Sequence, residues 1–446
     1  MKHPKIVIIG GGSYTWGPQF IRDIAITPTL SGSSIVLHDI NPEPLDLVFA
    51  VGEKVIQATG GQIQLEKTLS LDDALKDADF VILTITTGGL EAMRQDLEIP
   101  EKYGVFHSVG DTVGPGGLIR ALRNIPVIVD IARKMEAICP QAWLLNYTNP
   151  MTTLCRAVNR ETRIKTIGLC HEYMGVRRHL ATLFEAEESD IQARVGGINH
   201  LTWILDLKVK GRAALTEFSE MAERILAGEL VVDAENVSVF ADHFKVKSKL
   251  FQIFGAIPAA GDRHIAEFFP YFLTEATGKG SQYEITRTNI EDRYQLQTLA
   301  KGFIEMLRSG DMPLEPHLKE TSGEAANQII NALLGGDPYT GPMNLPNHGQ
   351  IFNLPKDVIV ETYAIVDATG VTPTALGALP AGIDTVIQRH VQNQELIVEA
   401  ALSGDRKSAM VALVNDPMIT NLDGAAAMLD EMLIANQRYL PQFSYS

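Results

Sequence analysis

Six short runs of branched apolar residues punctuate the first 170 residues: KIVIIG (5–10), SIVLHD (34–39), IQLEKTL (63–69), DFVILTIT (79–86), AWLLNYT (142–148) and RIKTIGL (163–169). Several lack any polar alternation, the mark of parallel strands covered on both faces. Amphipathic stretches such as FIRDIAI, LDLVFAVGEKVIQATG and GGLIRALRNIPVIVDIARKMEAI lie between them. Alternating β and α segments predict an α/β fold with a Rossmann-like, doubly wound parallel sheet.

Beyond about residue 195 the rhythm changes. A strand-like run, GINHLTWILDLKV (197–209), precedes helical patterns near 213–228, 291–309, 376–404 and 421–437. A chain of 446 residues is long for one core. The pattern therefore predicts a dinucleotide-binding domain over 1–195 and a mixed α/β domain over 196–446, with no linker between them.

The first strand runs into a glycine turn, IVIIGGGSYTWGP. Gly10 suits the tight turn, and Gly12 lets the backbone approach a pyrophosphate at a helix N-terminus. Thr15 replaces the third glycine of the usual pattern, and Ser13 and Tyr14 of the same turn, with Thr84 and Asn146 at later strand ends, are expected to contact the cofactor. The second strand ends in Asp39, whose carboxylate would accept from a ribose hydroxyl and repel a 2′-phosphate. NAD is thus expected rather than NADP. Ligands sit outside the carboxyl ends of such strands, so Thr84, Asn146, Asn149 and the run Cys170-His171-Glu172 should face the crevice.

A formal charge of −16 argues against nucleic acid or an anionic membrane as partner. Three cysteines are no secretory framework and suggest a reducing, cytoplasmic setting. The apolar run at the N-terminus is too short for a signal peptide or a membrane span. Cys139 and Cys155 fall at apolar helix positions and read as core.

Cys170 and His200, thirty residues apart, are too few for a closed zinc site but enough for an open one completed by substrate oxygens. A satisfied core histidine is the alternative. Two further stretches are dense in polar groups: HSVGDTVGPGGLIR with His107 and Asp111, and FGAIPAAGDRHIAEFFPY with Asp262, Arg263, His264 and Glu267.

Taken together, GGGSYTWGP, VGDTVGPGG, NYTNPM, CHE, GINHLTW and AAGDRH resemble glycoside hydrolase family 4, the NAD- and Mn²⁺-dependent glycosidases. The resemblance continues through PNHGQIFNLPKDVIVE and RHVQNQELIVEAAL. It implies transient oxidation at C3 of the sugar by NAD⁺, loss of the C2 proton, elimination of the aglycone, addition of water and return of the hydride. It implies metal ligands at Cys170 and His200, Asp262 as the C2 base, Asp111 supporting that base, and His171 as general acid. Asn149 and Arg94 match positions that contact substrate. The CHE form is similar to that of the α-galacturonidases, with α-glucuronidase and α-galactosidase as alternatives within the family. Glu172 would then mark the sugar accepted, and Arg263 or Arg287 would shield the uronate from it. Small-molecule glycosides are the expected partners, in a homodimer or homotetramer. A plain NAD-dependent sugar or hydroxy-acid dehydrogenase is the rival of another class.

Overall fold

The computed structural model describes residues 3–443 except 234, 235, 237, 239, 319 and 320. The six apolar runs form β1 (Lys5–Ile9), β2 (Ser34–His38), β3 (Gln64–Thr68), β4 (Phe80–Leu83), β5 (Trp143–Asn146) and β6 (Lys165–Gly168). They pair in parallel in the order β3-β2-β1-β4-β5-β6. The chain reverses direction across this sheet between β1 and β4, and the ligand crevice of such a sheet opens there.

Alternation along each strand divides the core. Val7, Ile9, Val81 and Leu83 pack with Ile119 and Leu122 of the helix Gly114–Ile138. Ile6, Ile8, Ile35 and Leu37 pack with Phe20 and Ile21 of Trp16–Ala25 and with Val48 and Val51 of Pro42–Thr59. Both faces are buried, so these strands need no polar alternation. Each such side chain contributes roughly 1.5–3 kcal/mol. The exposed edge, β3, carries Glu66 and Lys67 outward, which discourages pairing with another chain.

The second part continues the same sheet. Its strands are β7 (Ile191–Ile198), β8 (Leu201–Val209), β9 (Arg212–Ala213), β10 (Ile257–Pro258), β11 (Tyr339–Pro346), β12 (Ile359–Asp367) and β13 (Gly370–Pro373). The path β10-β8-β7-β12-β11 joins β6 through one antiparallel pair, Asn344 with Gly168. The domain boundary expected at residue 195 falls inside β7, whose ladder with β8 runs on both sides of it.

The run expected as one strand over 197–209 is interrupted. It is the end of β7, a turn at Asn199 and His200, and β8. His200 makes the turn with a left-handed backbone (φ 64), uncommon for a residue with a side chain. Helices stand at Leu215–Ala227, Ile290–Ser309, Ile383–Ser403 and Leu422–Ala435, close to the expected segments. No helix among the described residues is long and apolar enough to cross a membrane.

Candidate active site

The glycine turn leaves β1 at Gly10 (φ 87), where a Cβ would collide with the Thr84 carbonyl. Gly10 and Gly11 both donate to His38 O at 2.9 Å, stitching the turn to the end of β2. Gly12 N donates to Asp39 Oδ2 at 3.0 Å, and Asn41 N donates to Oδ1 at 3.0 Å. The Asp39 carboxylate is thereby fixed at the strand end with lone pairs to spare. Ser13 Oγ accepts from Trp16 N at 3.2 Å and opens the following helix. Glycines whose Cβ would collide, a helix start and a fixed carboxylate together fit a dinucleotide.

Two expected cofactor contacts lie elsewhere. Asn146 is buried, and its carboxamide closes on Thr148 at 3.0 and 3.1 Å and reaches Cys155 Sγ at 3.5 Å. Both ends of the amide are spent on the bend after β5. Tyr14 is half-buried against the apolar cluster that holds Phe20 and Val48, and burial raises its phenol above 10.0.

At the end of β6, Cys170 Sγ lies 3.5 Å from His200 Nε2. The other nitrogen of that ring settles the tautomer. Thr112 Oγ1 gives its single proton to Asp111 Oδ1 at 2.6 Å, so at 2.8 Å from His200 Nδ1 it can only accept. The His200 proton is then on Nδ1, and Nε2 turns a lone pair toward the thiol. Burial, reinforced by His264, pushes the His200 pKa down to about 4, so the ring is neutral near pH 7. Burial and the nearby Glu361 carboxylate push the Cys170 thiol well above its ordinary value. A nitrogen and a sulfur donor side by side suit a divalent transition ion, which would draw the thiol proton off.

Asp111, His200 and His264 also offer ligand atoms within 4.8 Å of one another. Asp111 is already held by Thr112 and, at Oδ2, by Asn149 Nδ2 at 3.1 Å. Burial opposes its charge, but His264, His200 and Arg120 outweigh burial and hold the carboxyl far below its usual range. The His264 ring lies against His200 with centroids 3.7 Å apart. Its Nδ1 is buried without a hydrogen-bond partner, 3.9 Å from Asp111, and its Nε2 is 3.8 Å from Glu172.

Glu172 Oε2 accepts from Gly261 N at 2.7 Å. Burial raises this carboxyl, yet His264 and the Gly261 N–H bring it down to about 2. The neighbouring His171 is exposed and pairs through Nδ1 with Glu324 at 3.0 Å. That hydrogen bond lifts the imidazole above 6.5 despite some burial.

The structure separates two expected residues from this cluster. Asp262 accepts from Val246 N at 2.9 Å, from Lys247 N at 3.0 Å and from Lys247 Nζ at 2.9 Å. It caps the helix Lys245–Phe254 and neutralises a buried lysine, so both of its oxygens are engaged away from the His264 cluster. Arg94 is taken up by Glu98 at 3.1 Å and Glu291 at 2.8 Å. Arg120 serves the site instead, donating to Asn149 O at 3.2 Å and Thr86 Oγ1 at 3.4 Å. Arg263 donates to Ser108 O at 2.8 Å and Thr288 Oγ1 at 2.6 Å.

Thr112 and Arg120 lie inside the stretch HSVGDTVGPGGLIR without being singled out there, and Glu324 lies in no motif. Arg120 and Arg123 stand in the otherwise apolar run GGLIRALRNIPVI, and the sequence does not tell which of them faces the site.

Residues 5–186 match the profile of the Family 4 glycosyl hydrolases, and 195–419 match that family's C-terminal domain. The chain belongs to family 4 of the glycosyl hydrolases. It is 37% identical to an alpha-galacturonidase of Thermoanaerobacterium saccharolyticum, with 98% of this chain and 96% of that protein aligned. Among solved structures, LplD of Bacillus subtilis superposes with a TM-score of 0.88 at 34% identity, covering 97% of this chain and 100% of that one. A 6-phospho-alpha-glucosidase from gut microorganisms, in complex with NAD and Mn²⁺, shares the fold (TM-score 0.84, 20% identity, 99% and 100% covered). Within this family 4 fold, the paired Cys170 and His200 lie at the end of β6, two strands beyond β4 and the crevice.

Proposed function

We propose that this chain is an NAD- and Mn²⁺-dependent glycosidase that cleaves α-linked galacturonides. One observation carries the reading: His200, its tautomer set by Thr112, presents Nε2 to Cys170 Sγ at 3.5 Å, two residues past the end of β6. The galacturonide follows from the Cys-His-Glu run and from the alpha-galacturonidase relative.

Bound there, NAD⁺ would supply reversible hydride transfer and the metal ion would supply Lewis-acid polarisation of sugar oxygens. Asp39 and the Gly10–Gly12 turn would hold the dinucleotide, and Cys170 and His200 would hold the metal. His171, poised by Glu324, donates the proton to the leaving oxygen. His264 takes the C2 proton in place of Asp262, because its Nδ1 is unengaged and Asp111 and Glu172 stabilise the cation it becomes. Asn149, fixed by Asp111, faces the substrate. The three free thiols suit a cytoplasmic enzyme, and assembly as a homodimer or homotetramer completes the proposal.

The test is turnover of p-nitrophenyl α-galacturonide with NAD⁺, Mn²⁺ and a thiol reductant in D₂O. Product sugar carrying deuterium at C2, with no net NADH, is expected. Net NADH accumulation would mark a dehydrogenase, and unlabelled sugar would remove the elimination route.

A further inference from the structure

Three guanidinium groups, those of Arg120, Arg263 and Arg293, gather at the rim of this site, and among the described residues none of them is ion-paired with a carboxylate. Arg263 uses Nη2 on Ser108 O and Thr288 Oγ1, while its buried Nε has no partner. Arg293, in the first turn of Ile290–Ser309, is half-buried. Among the described residues, no carboxylate pairs with it and its guanidinium makes no hydrogen bond. Arg263 and Arg293 each lie 5.8 Å from the centroid of the same ring, Phe240. Burial lowers the guanidiniums of Arg120 and Arg263, and the nearby charge of Arg293 adds to it.

Nearby arginines are not left this way. Arg94 has Glu98 and Glu291, Arg123 holds Asp96 at 2.7 Å, and Arg287 is paired with Glu101. Among the described residues, none of the local carboxylates forms an ion pair with Arg263 or Arg293. Asp111 is held by Thr112 and Asn149, Glu172 by Gly261, and Glu267 Oε1 by the backbone of Ser108, Val109 and Gly110. Like charges brought together in a partly desolvated rim repel unless an anion arrives.

We infer that Arg263 and Arg293, set against Phe240, form the pocket that takes the C6 carboxylate of the sugar and so select a uronide over a neutral hexoside. Planar guanidinium suits a planar carboxylate. The pocket rests on the galacturonide reading above, and it replaces Arg287, which Glu101 and the His107 carbonyl already occupy.

The experiment uses enzyme loaded with NAD⁺ and Mn²⁺, as wild type, Arg293→Gln and Arg293→Lys, with thermal melting as the check on folding. Two quantities are measured: the ratio of kcat/KM for α-galacturonide and α-galactoside, and calorimetric affinity for free galacturonate against galactose. In Arg293→Gln the ratio should fall about 30-fold or more, mainly through KM, with galacturonate affinity falling in parallel. Arg293→Lys should recover part of both. An unchanged ratio and unchanged affinities in a folded Arg293→Gln enzyme overturn the pocket while leaving galacturonide cleavage intact. Wild-type enzyme that prefers galacturonate in binding, through Arg293, yet cleaves no galacturonide keeps the pocket and overturns the proposed activity. Wild-type enzyme with no preference for galacturonate overturns the pocket.

Discussion

Lys247 donates to Asp262 Oδ1 at 2.9 Å, and neither side chain is open to water. Asp242 completes the group, accepting from the same ammonium at 2.6 and 2.7 Å. Removing one partner of a buried ion pair costs about 3–5 kcal/mol. Asp262→Asn should therefore lower the unfolding free energy in urea by about 3 kcal/mol. The fraction that stays folded should still exchange the C2 proton of substrate with solvent. His264→Gln should keep the stability and lose the exchange. Loss of exchange in Asp262→Asn at full stability would return the base to Asp262.

Thr112 acts on the metal through the far side of His200. Replacing it by valine removes the oxygen that accepts from Nδ1 and lets the ring adopt the other tautomer. Mn²⁺ affinity, read from a metal titration of the chelated enzyme, should weaken about 10–100-fold, with NAD⁺ binding unchanged. Thr112→Ser should behave as wild type. A valine variant with normal Mn²⁺ affinity would show that the hydroxyl has no part in orienting the ligand.

Cys170→Ser exchanges a soft sulfur donor for a hydroxyl that does not ionise near pH 7. Chelated Cys170→Ser enzyme should not regain activity on adding Mn²⁺, while NAD⁺ still binds. Recovery equal to wild type would move the metal away from the thiol.

Glu267 governs acid stability through the loop it organises. It accepts from Ser108 N, Val109 N and Gly110 N at 2.7–2.9 Å and from His107 at 3.2 Å. Burial raises its carboxyl, but His107 and the Val109 N–H outweigh burial and leave it below 4.5. A carboxyl depressed in the folded state adds stability above its unfolded pKa, and that stability is lost as pH falls through the folded one. The unfolding free energy should decline as pH drops below about 4.5. Glu267→Gln should start lower and decline less steeply. Parallel pH profiles for the two proteins would exclude this carboxyl as the source.

The parallel half of the sheet was legible because doubly buried strands are written as uninterrupted apolar runs. The β7–β8 hairpin was not: its turn is made by Asn199 and His200, with His200 in a left-handed backbone and no glycine or proline to mark it. The glycine turn, Cys170 and His200 could be found by spacing. In AAGDRH the sequence gathers three ionisable groups that the fold then sends to different tasks: Asp262 to Lys247, Arg263 to the rim, His264 to the His200 ring. Neighbours on a short helix point in different directions, and a string of letters does not record direction. Thr112 and Glu324 act by hydrogen bonds to residues 88 and 153 positions away, which no local pattern encodes.

The single pair Asn344–Gly168 sets a tolerance for the whole catalyst. Cys170 follows Gly168 by two residues, while His200 is carried by strands hung from the other side of that seam. A slip of one residue there would carry the thiol about 3.3 Å along its strand, comparable to its distance from the imidazole. Alignment of the two ligands is thus a property of how the strands are in step, and a substitution that loosened the seam could silence the enzyme without touching any group that meets the sugar.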